Sequence, residues 1–328
     1  MVRGIAWLLI SLAAYAEDLP LGKIVDEVKC TSDPLQSYAL YLPSNYSANR
    51  TWPLILAFSP MARGRVPLER LQQAAEKYGY IVAGSNNSRN SDSQSTTAAI
   101  RAMPADVAAR FSVDVKRVYT AGFSGGARVA LRVAESSGKI AGVIACSAGF
   151  PDGHARKSAP FPIYATAGTE DFNYIEMREL DRALTTPHRL VIFDGTHDWL
   201  PASLADDALA WLEFQTVNSG SRPRDEWEPK TETKADLKKE LALERREEQM
   251  TMELAGLEVG LGNQASRNDT LTELRDRLSD LSRRANANED SEDRRMARRV
   301  LRGTFARSFE QIKDPDYQKL LREIQLSH

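Results

Sequence analysis

"TAGFSGGARVALRVA", residues 120–134, is the stretch on which the reading of this chain turns. Upstream, "KRVYTAG" (116–122) has the apolar character of a strand. Downstream, "GARVALRVAESSG" (126–138) has the spacing of a helix and ends near Gly138. Between them Gly122, Gly125 and Gly126 crowd Ser124. A Gly-x-Ser-x-Gly match by itself says little, because ordinary glycine and serine frequencies give about one per ten chains of this length. The setting says more: a strand turning sharply into a helix around a serine with small neighbours is what a nucleophile elbow requires. The hydroxyl of Ser124 then stands above the carboxyl edge of a sheet. The N–H of Gly125 lies at the helix start, where it has no acceptor within the helix and can stabilise an oxyanion. The plainer alternative is a chain that needs glycine only to turn a corner.

Outward from this stretch, strand-like and helix-like runs alternate from about Lys23 to Gln215. "SYALYLP" (37–43) alternates, with Tyr38, Leu40 and Leu42 on one face, and reads as a half-buried strand. "WPLILAFSP" (52–60) and "YIVAGS" (80–85) are continuous apolar runs, as strands buried on both faces are. "IAGVIACSAGF" (140–150), "FPIYATAG" (161–168) and "RLVIFDG" (189–195) read as three more. Helices are expected at 68–79, 96–111, 174–184 and 204–217, with Pro104 expected to bend or split the second. This alternation predicts an α/β fold whose mostly parallel sheet carries helices on both faces. In such sheets chemistry collects beyond the carboxyl ends of the strands.

Three other segments stand apart. Residues 1–16 have a basic start at Arg3, a short apolar stretch and small residues at Ala14 and Ala16. That is the layout of a secretory signal, cleaved before Glu17, and it is too short and wrongly flanked for a membrane span. The expectation is a secreted or periplasmic protein with no membrane attachment after cleavage. Residues 219–234, "SGSRPRDEWEPKTETK", read as a linker after a main domain at 17–218. Residues 235–328 are highly charged and helical throughout, an all-α appendage of four runs. The first covers roughly 236–261. The second opens at a Thr270–Glu273 capping pair and carries Leu271, Leu274, Leu278 and Leu281 on one face. The third carries Met296, Val300, Phe305, Phe309 and Ile312, and the fourth starts at Asp314–Pro315. Such an appendage packs on the main domain, self-associates or receives a protein partner. A net charge of −2 offers no global field for nucleic acid, and no nucleic-acid role is expected.

A serine hydroxyl needs a base to take its proton. The sequence has four histidines. His328 is terminal and His188 precedes a strand, at the wrong edge. His154 and His197 both follow strands. His197, after the last strand and last in the order Ser, acid, His, is preferred. The acid that orients it is assigned to Asp171, just past "FPIYATAG"; Glu170 is adjacent and Asp152 is the runner-up. Asp194 and Asp198 lie too near His197 in sequence.

With these residues in view a resemblance emerges. "GFSGG", "AGTED" and "DGTHDW" resemble the nucleophile, acid and histidine segments of the α/β-hydrolase superfamily. "SYALYLPSNY", "WPLILAFSP" and "AAEKYGYIVAGS" resemble secreted esterases related to polyhydroxybutyrate depolymerases and feruloyl esterases, and more distantly dienelactone hydrolases. The resemblance spans about residues 38–217 and leaves the helical tail outside. It implies an eight-strand-type sheet with Ser124, Asp171 and His197 as a triad acting on small-molecule or polymeric esters without a cofactor. One departure is plain. Such esterases carry His-Gly at the end of the early strand, where this chain has Ser59-Pro60. That makes Met61 the second oxyanion donor beside Gly125. Asn86, Asn87 and Arg89 reach the same edge as candidates for contacting substrate, or as an ordinary polar turn; Arg63 and Arg65 beside the hole would favour an acidic substrate group. In the implied strand order Cys30 and Cys146 sit too far apart for a disulfide. No cysteine or histidine spacing suits a metal. Two rivals stay open: a peptidase of the same fold, and a non-catalytic exported binding protein working through its tail.

Overall fold

The computed structural model describes residues 19–220, 246–247, 249–287 and 291–326. The expected signal at 1–16 lies outside the described residues, as do nearly all of the expected linker and the first part of the expected helical run at 236–261. Among the described residues no helix is long and apolar enough to cross a membrane.

Eight strands form one sheet: β1 (Ile24–Lys29), β2 (Ser37–Tyr41), β3 (Trp52–Phe58), β4 (Ile81–Ser85), β5 (Val113–Phe123), β6 (Gly142–Cys146), β7 (Ile163–Gly168) and β8 (His188–Phe193). Their order is β1-β2-β4-β3-β5-β6-β7-β8. β2 runs antiparallel to β1 and to β4, and every other pairing is parallel. The helices α1 (Arg65–Tyr78), α2 (Ser93–Arg110), α3 (Gly125–Ser137), α4 (Tyr174–Ala183) and α5 (Ala202–Asn218) cover it. Because side chains alternate across a strand, each inner strand feeds two cores. Leu54, Leu56 and Phe58 of β3 pack with α2, α3 and α4, while Ile55 and Ala57 pack with α1 and α5. The fold is of the α/β-hydrolase type, followed by C-terminal helices α6 (249–260), α7 (Arg267–Ala285), α8 (Glu292–Gln311) and α9 (Pro315–Leu326). The tail has a core of its own, in which Leu274, Leu278 and Leu281 meet Met296, Val300 and Leu321.

Several expectations are corrected. β1 carries no apolar run; as an edge strand it buries only Val28, so it has no hydrophobic signature to read. β2 is buried on both faces rather than half-buried, because Tyr38 and Leu40 face one core and Ala39 and Tyr41 face a second. α2 runs unbroken through Pro104. α7 begins at Arg267, one turn before the expected capping pair, and the Thr270 hydroxyl instead donates back to the Ser266 carbonyl at 3.0 Å. α9 starts as expected: Asp314 Oδ1 accepts the N–H groups of Asp316 and Tyr317, both at 3.0 Å. The Phe309 side chain lies outside the described positions. Cys30 and Cys146 are unpaired and buried, five strand steps of about 4.8 Å apart. Burial pushes each thiol up to about 11.

One buried carboxylate ties β1, β2 and α2 together. Asp106 accepts from Thr31 N–H at 2.7 Å and from the Tyr38 hydroxyl at 2.8 Å, and it pairs with Arg110 at 2.8 Å. Burial would raise its pKa, but the Thr31 and Tyr38 bonds and the Arg110 charge together hold it below the usual range. A depressed folded-state pKa stabilises the fold above the unfolded value of about 3.9, and that stabilisation is lost as pH falls through the folded value. Asp106→Asn is therefore expected to cost about 2 kcal/mol at pH 7. The difference from wild type should narrow as the medium is acidified below pH 4. Denaturant unfolding across pH checks this; a gap independent of pH would contradict it.

Candidate active site

The elbow forms because three backbones meet where side chains cannot fit. Ser124 caps α3 at φ 54°, ψ −124°, in the left-handed half of the map that a non-glycine residue enters at a cost of about 1–3 kcal/mol. Its N–H is held by the Cys146 carbonyl of β6 at 2.9 Å. A Cβ on Gly126 would overlap the Phe58 carbonyl of β3, and one on Gly122 would overlap the Gly126 carbonyl. Strand and helix thus approach closely enough to force the turn.

The loops after β7 and β8 bring two more groups to Ser124. Gly168 and Phe193 end these paired strands side by side, so the loops that follow start together. His197 Nε2 lies 2.9 Å from Ser124 Oγ, and its Nδ1 lies 2.7 Å from Asp171 Oδ1. Asp171 is fully buried, and the same oxygen also accepts the Asn173 N–H at 2.8 Å. Asn173 Nδ2 donates to the Ser147 carbonyl at 2.8 Å, and Ser147 Oγ donates to the Asp198 carbonyl at 3.0 Å, tying both loops to the end of β6. The imidazole lies between Phe172 and Phe123, with ring centroids 3.9 and 4.7 Å away.

The alternatives are committed elsewhere. His154 is exposed, with Nδ1 on the Asp152 carbonyl, and Asp152 pairs with Arg156. His188 sits at the far end of β8, against the Thr186 and Asp181 carbonyls. Asp194 pairs with Arg298 and Asp198 with Arg70, while Glu170 is half-exposed, 3.8 Å from Arg298.

On the other side of Ser124, the chain after β3 is pinned to the loop after β4. Asn90 N–H donates to the Pro60 carbonyl and Ala62 N–H to the Ser88 carbonyl, with a bridge between Met61 and Arg89. The Met61 N–H makes one long contact, 3.4 Å, to Ser59 Oγ. A cleft of about 400 Å³ opens beside Gly125, lined among others by Arg89, Asn90, Thr96, Arg128 and Arg132. The structure does not bring Asn86 and Asn87 to it. Asn86 Nδ2 donates to the Asp26 carbonyl and to Ser37 Oγ; Asn87 accepts the Ser37 N–H and donates to the Leu35 carbonyl. Their amides are spent fastening β1 and β2, so of the expected polar trio Arg89 alone lines the cleft. Arg65 is likewise engaged, by Asp26 and Glu69. Three residues escaped sequence reasoning. Phe172 and Asn173 support His197 and Asp171 from single positions that no spacing marks, and Asn90 lies so close to Gly125 that a Cβ there would strike its side chain. Among the described residues no group of three or more His, Cys, Asp or Glu side chains could hold a metal ion.

No family model matches the sequence, and no curated protein matches it. Solved structures similar to the chain include a ferulic acid esterase, 16% identical, with a TM-score of 0.48, covering 59% of this chain and 98% of that one. A variant of the feruloyl esterase module from Clostridium thermocellum, complexed with sinapinate, is 14% identical (TM-score 0.46; 56% of this chain, 86% of that one). An S-formylglutathione hydrolase from Agrobacterium tumefaciens is 13% identical (TM-score 0.44; 55% and 90%).

If close approach forces the elbow, Gly126→Ala must push β3 and α3 apart. It is expected to cost about 1–3 kcal/mol in urea unfolding, as overpacking does. Unchanged stability would show that the two backbones are not in contact.

Proposed function

We propose that the chain is a serine hydrolase that cleaves carboxylic esters through an acyl-enzyme. One observation carries the reading: an unbroken relay from a buried carboxylate through an imidazole to a serine oxygen held on a strained strand–helix turn. Asp171 accepts from Nδ1–H of His197, which leaves the Nε2 lone pair facing Ser124. As Oγ adds to the ester carbonyl carbon, its proton passes to Nε2. Asp171 stabilises the imidazolium so formed, and the Gly125 and Met61 N–H groups receive the negative oxygen. Collapse breaks the bond to the alkoxide, which leaves as alcohol with the Nε2 proton. Water then adds to the acyl-enzyme, with His197 again the base, and the acid departs. Every proton taken is returned, and the residues present supply each step. Export, with the pattern of residues 1–16 behind it, belongs to the same proposal.

Hydrolysis of a short-chain ester by the full chain tests this. Ser124→Ala and His197→Ala should each lower kcat by about 10⁶, and Asp171→Asn by about 10⁴. A matched amide substrate separates the peptidase reading. Undiminished hydrolysis by Ser124→Ala would refute the proposal, and absence of turnover on ester and amide alike would favour a binding protein.

A further inference from the structure

The helical tail lies outside every step above, yet its side chains reach the two loops that carry Asp171 and His197. Three ties can be followed. Arg298 of α8 pairs with Asp194, whose carboxylate also lies 3.8 Å from Arg294 and accepts from the Thr169 hydroxyl at 3.4 Å. Arg299, 1% exposed, donates to the Ile192 carbonyl of β8 at 2.6 Å. Glu247, 5% exposed, accepts from the Tyr174 hydroxyl at 3.0 Å and stands 3.4 Å from Arg178, both on α4.

Each tie ends within a few residues of the relay. Thr169 and Asp194 join the two loops to each other: Gly195 N–H donates to Thr169 Oγ1 at 3.3 Å and Glu170 N–H to the Gly195 carbonyl at 2.8 Å. Asp171 follows two residues after Thr169, and His197 three after Asp194. Tyr174, gripped by Glu247, opens α4, and its N–H donates to the Asp171 carbonyl at 2.9 Å. Burying Arg299 and Glu247 at an incidental contact would cost several kcal/mol per charge unless each were well paired. Loops beyond strand ends are moreover the parts of a fold with the least stability of their own.

We propose that the C-terminal helices are an intramolecular clamp on the acid and histidine loops, with Arg298 and Glu247 as positioning residues that hold Asp171 and His197 in hydrogen-bonding register. Arg298 fixes the histidine loop through Asp194 and the acid loop through Asp194 and Thr169. Glu247 fixes the start of α4, from which Asp171 is held. The ties act on geometry alone; none of these side chains touches Ser124 or the space beside it. The kinetic part of this inference rests on the hydrolase reading.

The test uses Arg298→Gln, Arg298→Lys and Glu247→Gln in the full chain, with Arg277→Gln as control; Arg277 pairs with Glu253 and Glu273 within the tail. Amide hydrogen exchange is followed at 169–174 and 194–197 beside ester kinetics. Arg298→Gln and Glu247→Gln are expected to speed exchange in those segments about tenfold and to lower kcat about tenfold, within the ~10²-fold that a 1 Å misplacement can cost. KM should stay within about twofold, because the substrate site is untouched. Lysine at 298, which keeps the charge, should restore most of both, and the control should change neither. Wild-type exchange in both variants, or equal effects in the control, would overturn the clamp. Should Glu247→Gln fail to fold, Asp194→Asn removes the Arg298 pair from the other side and is read in the same way. If the wild-type chain turns over no ester, the hydrolase reading falls, and exchange alone decides the clamp.

Discussion

Between Phe58 at the end of β3 and the first turn of α3 there is room for backbone and nothing more. That close approach is the constraint on which the rest of the site depends. It requires glycine at 122 and 126, drives Ser124 into a left-handed conformation, and so lifts a hydroxyl clear of the sheet edge. The strain of about 1–3 kcal/mol is sustained because three inner strands grip the turn from below. β3 and β6 pair with β5 on either side, and the Cys146 carbonyl takes the Ser124 N–H. A serine on a flexible loop would gain no such fixed position against a base.

The remaining groups are delivered by parallel strands that end together. Gly168 and Phe193 are register partners, and the loops beyond them carry Asp171 and His197 to within hydrogen-bonding distance of one another. Strand order also explains the two thiols: Cys30 lies near one edge and Cys146 near the middle, so export would leave them unpaired and buried. The tail adds a different kind of contact. Apolar residues of the tail build a core of its own, while Arg298, Arg299 and Glu247 reach the main body at the loop after β8, at β8 itself and at α4.

What the sequence made legible follows from physics that is local or periodic. Continuous apolar runs marked β3, β4, β6, β7 and β8 because two-sided burial leaves no other composition. The glycine-flanked serine stood out because the turn tolerates nothing larger. The order of strand ends was enough to nominate Asp171 and His197 as the groups the structure gathers at Ser124. Other features had no such trace. β1 buries a single side chain, so its pattern is that of a loop. The amides of Asn86 and Asn87 look the same in sequence whether they face a ligand or fasten β1 and β2, and only the fold distinguishes these. Phe172 and Asn173 act through contacts made by tertiary structure alone. Arg298 and Glu247 lie in a charge-rich tail where any arginine or glutamate reads as a solvated face; their contacts with Asp194 and Tyr174 are made only by tertiary structure.

The most direct measurement of the central claim is the site of covalent capture by a fluorophosphonate, read by mass spectrometry after trypsin digestion. One phosphonyl adduct is expected on the peptide "VYTAGFSGGAR" (118–128), located at Ser124, with labelling greatly slowed in His197→Ala. An unlabelled wild-type chain, or an adduct that persists elsewhere in Ser124→Ala, would contradict it.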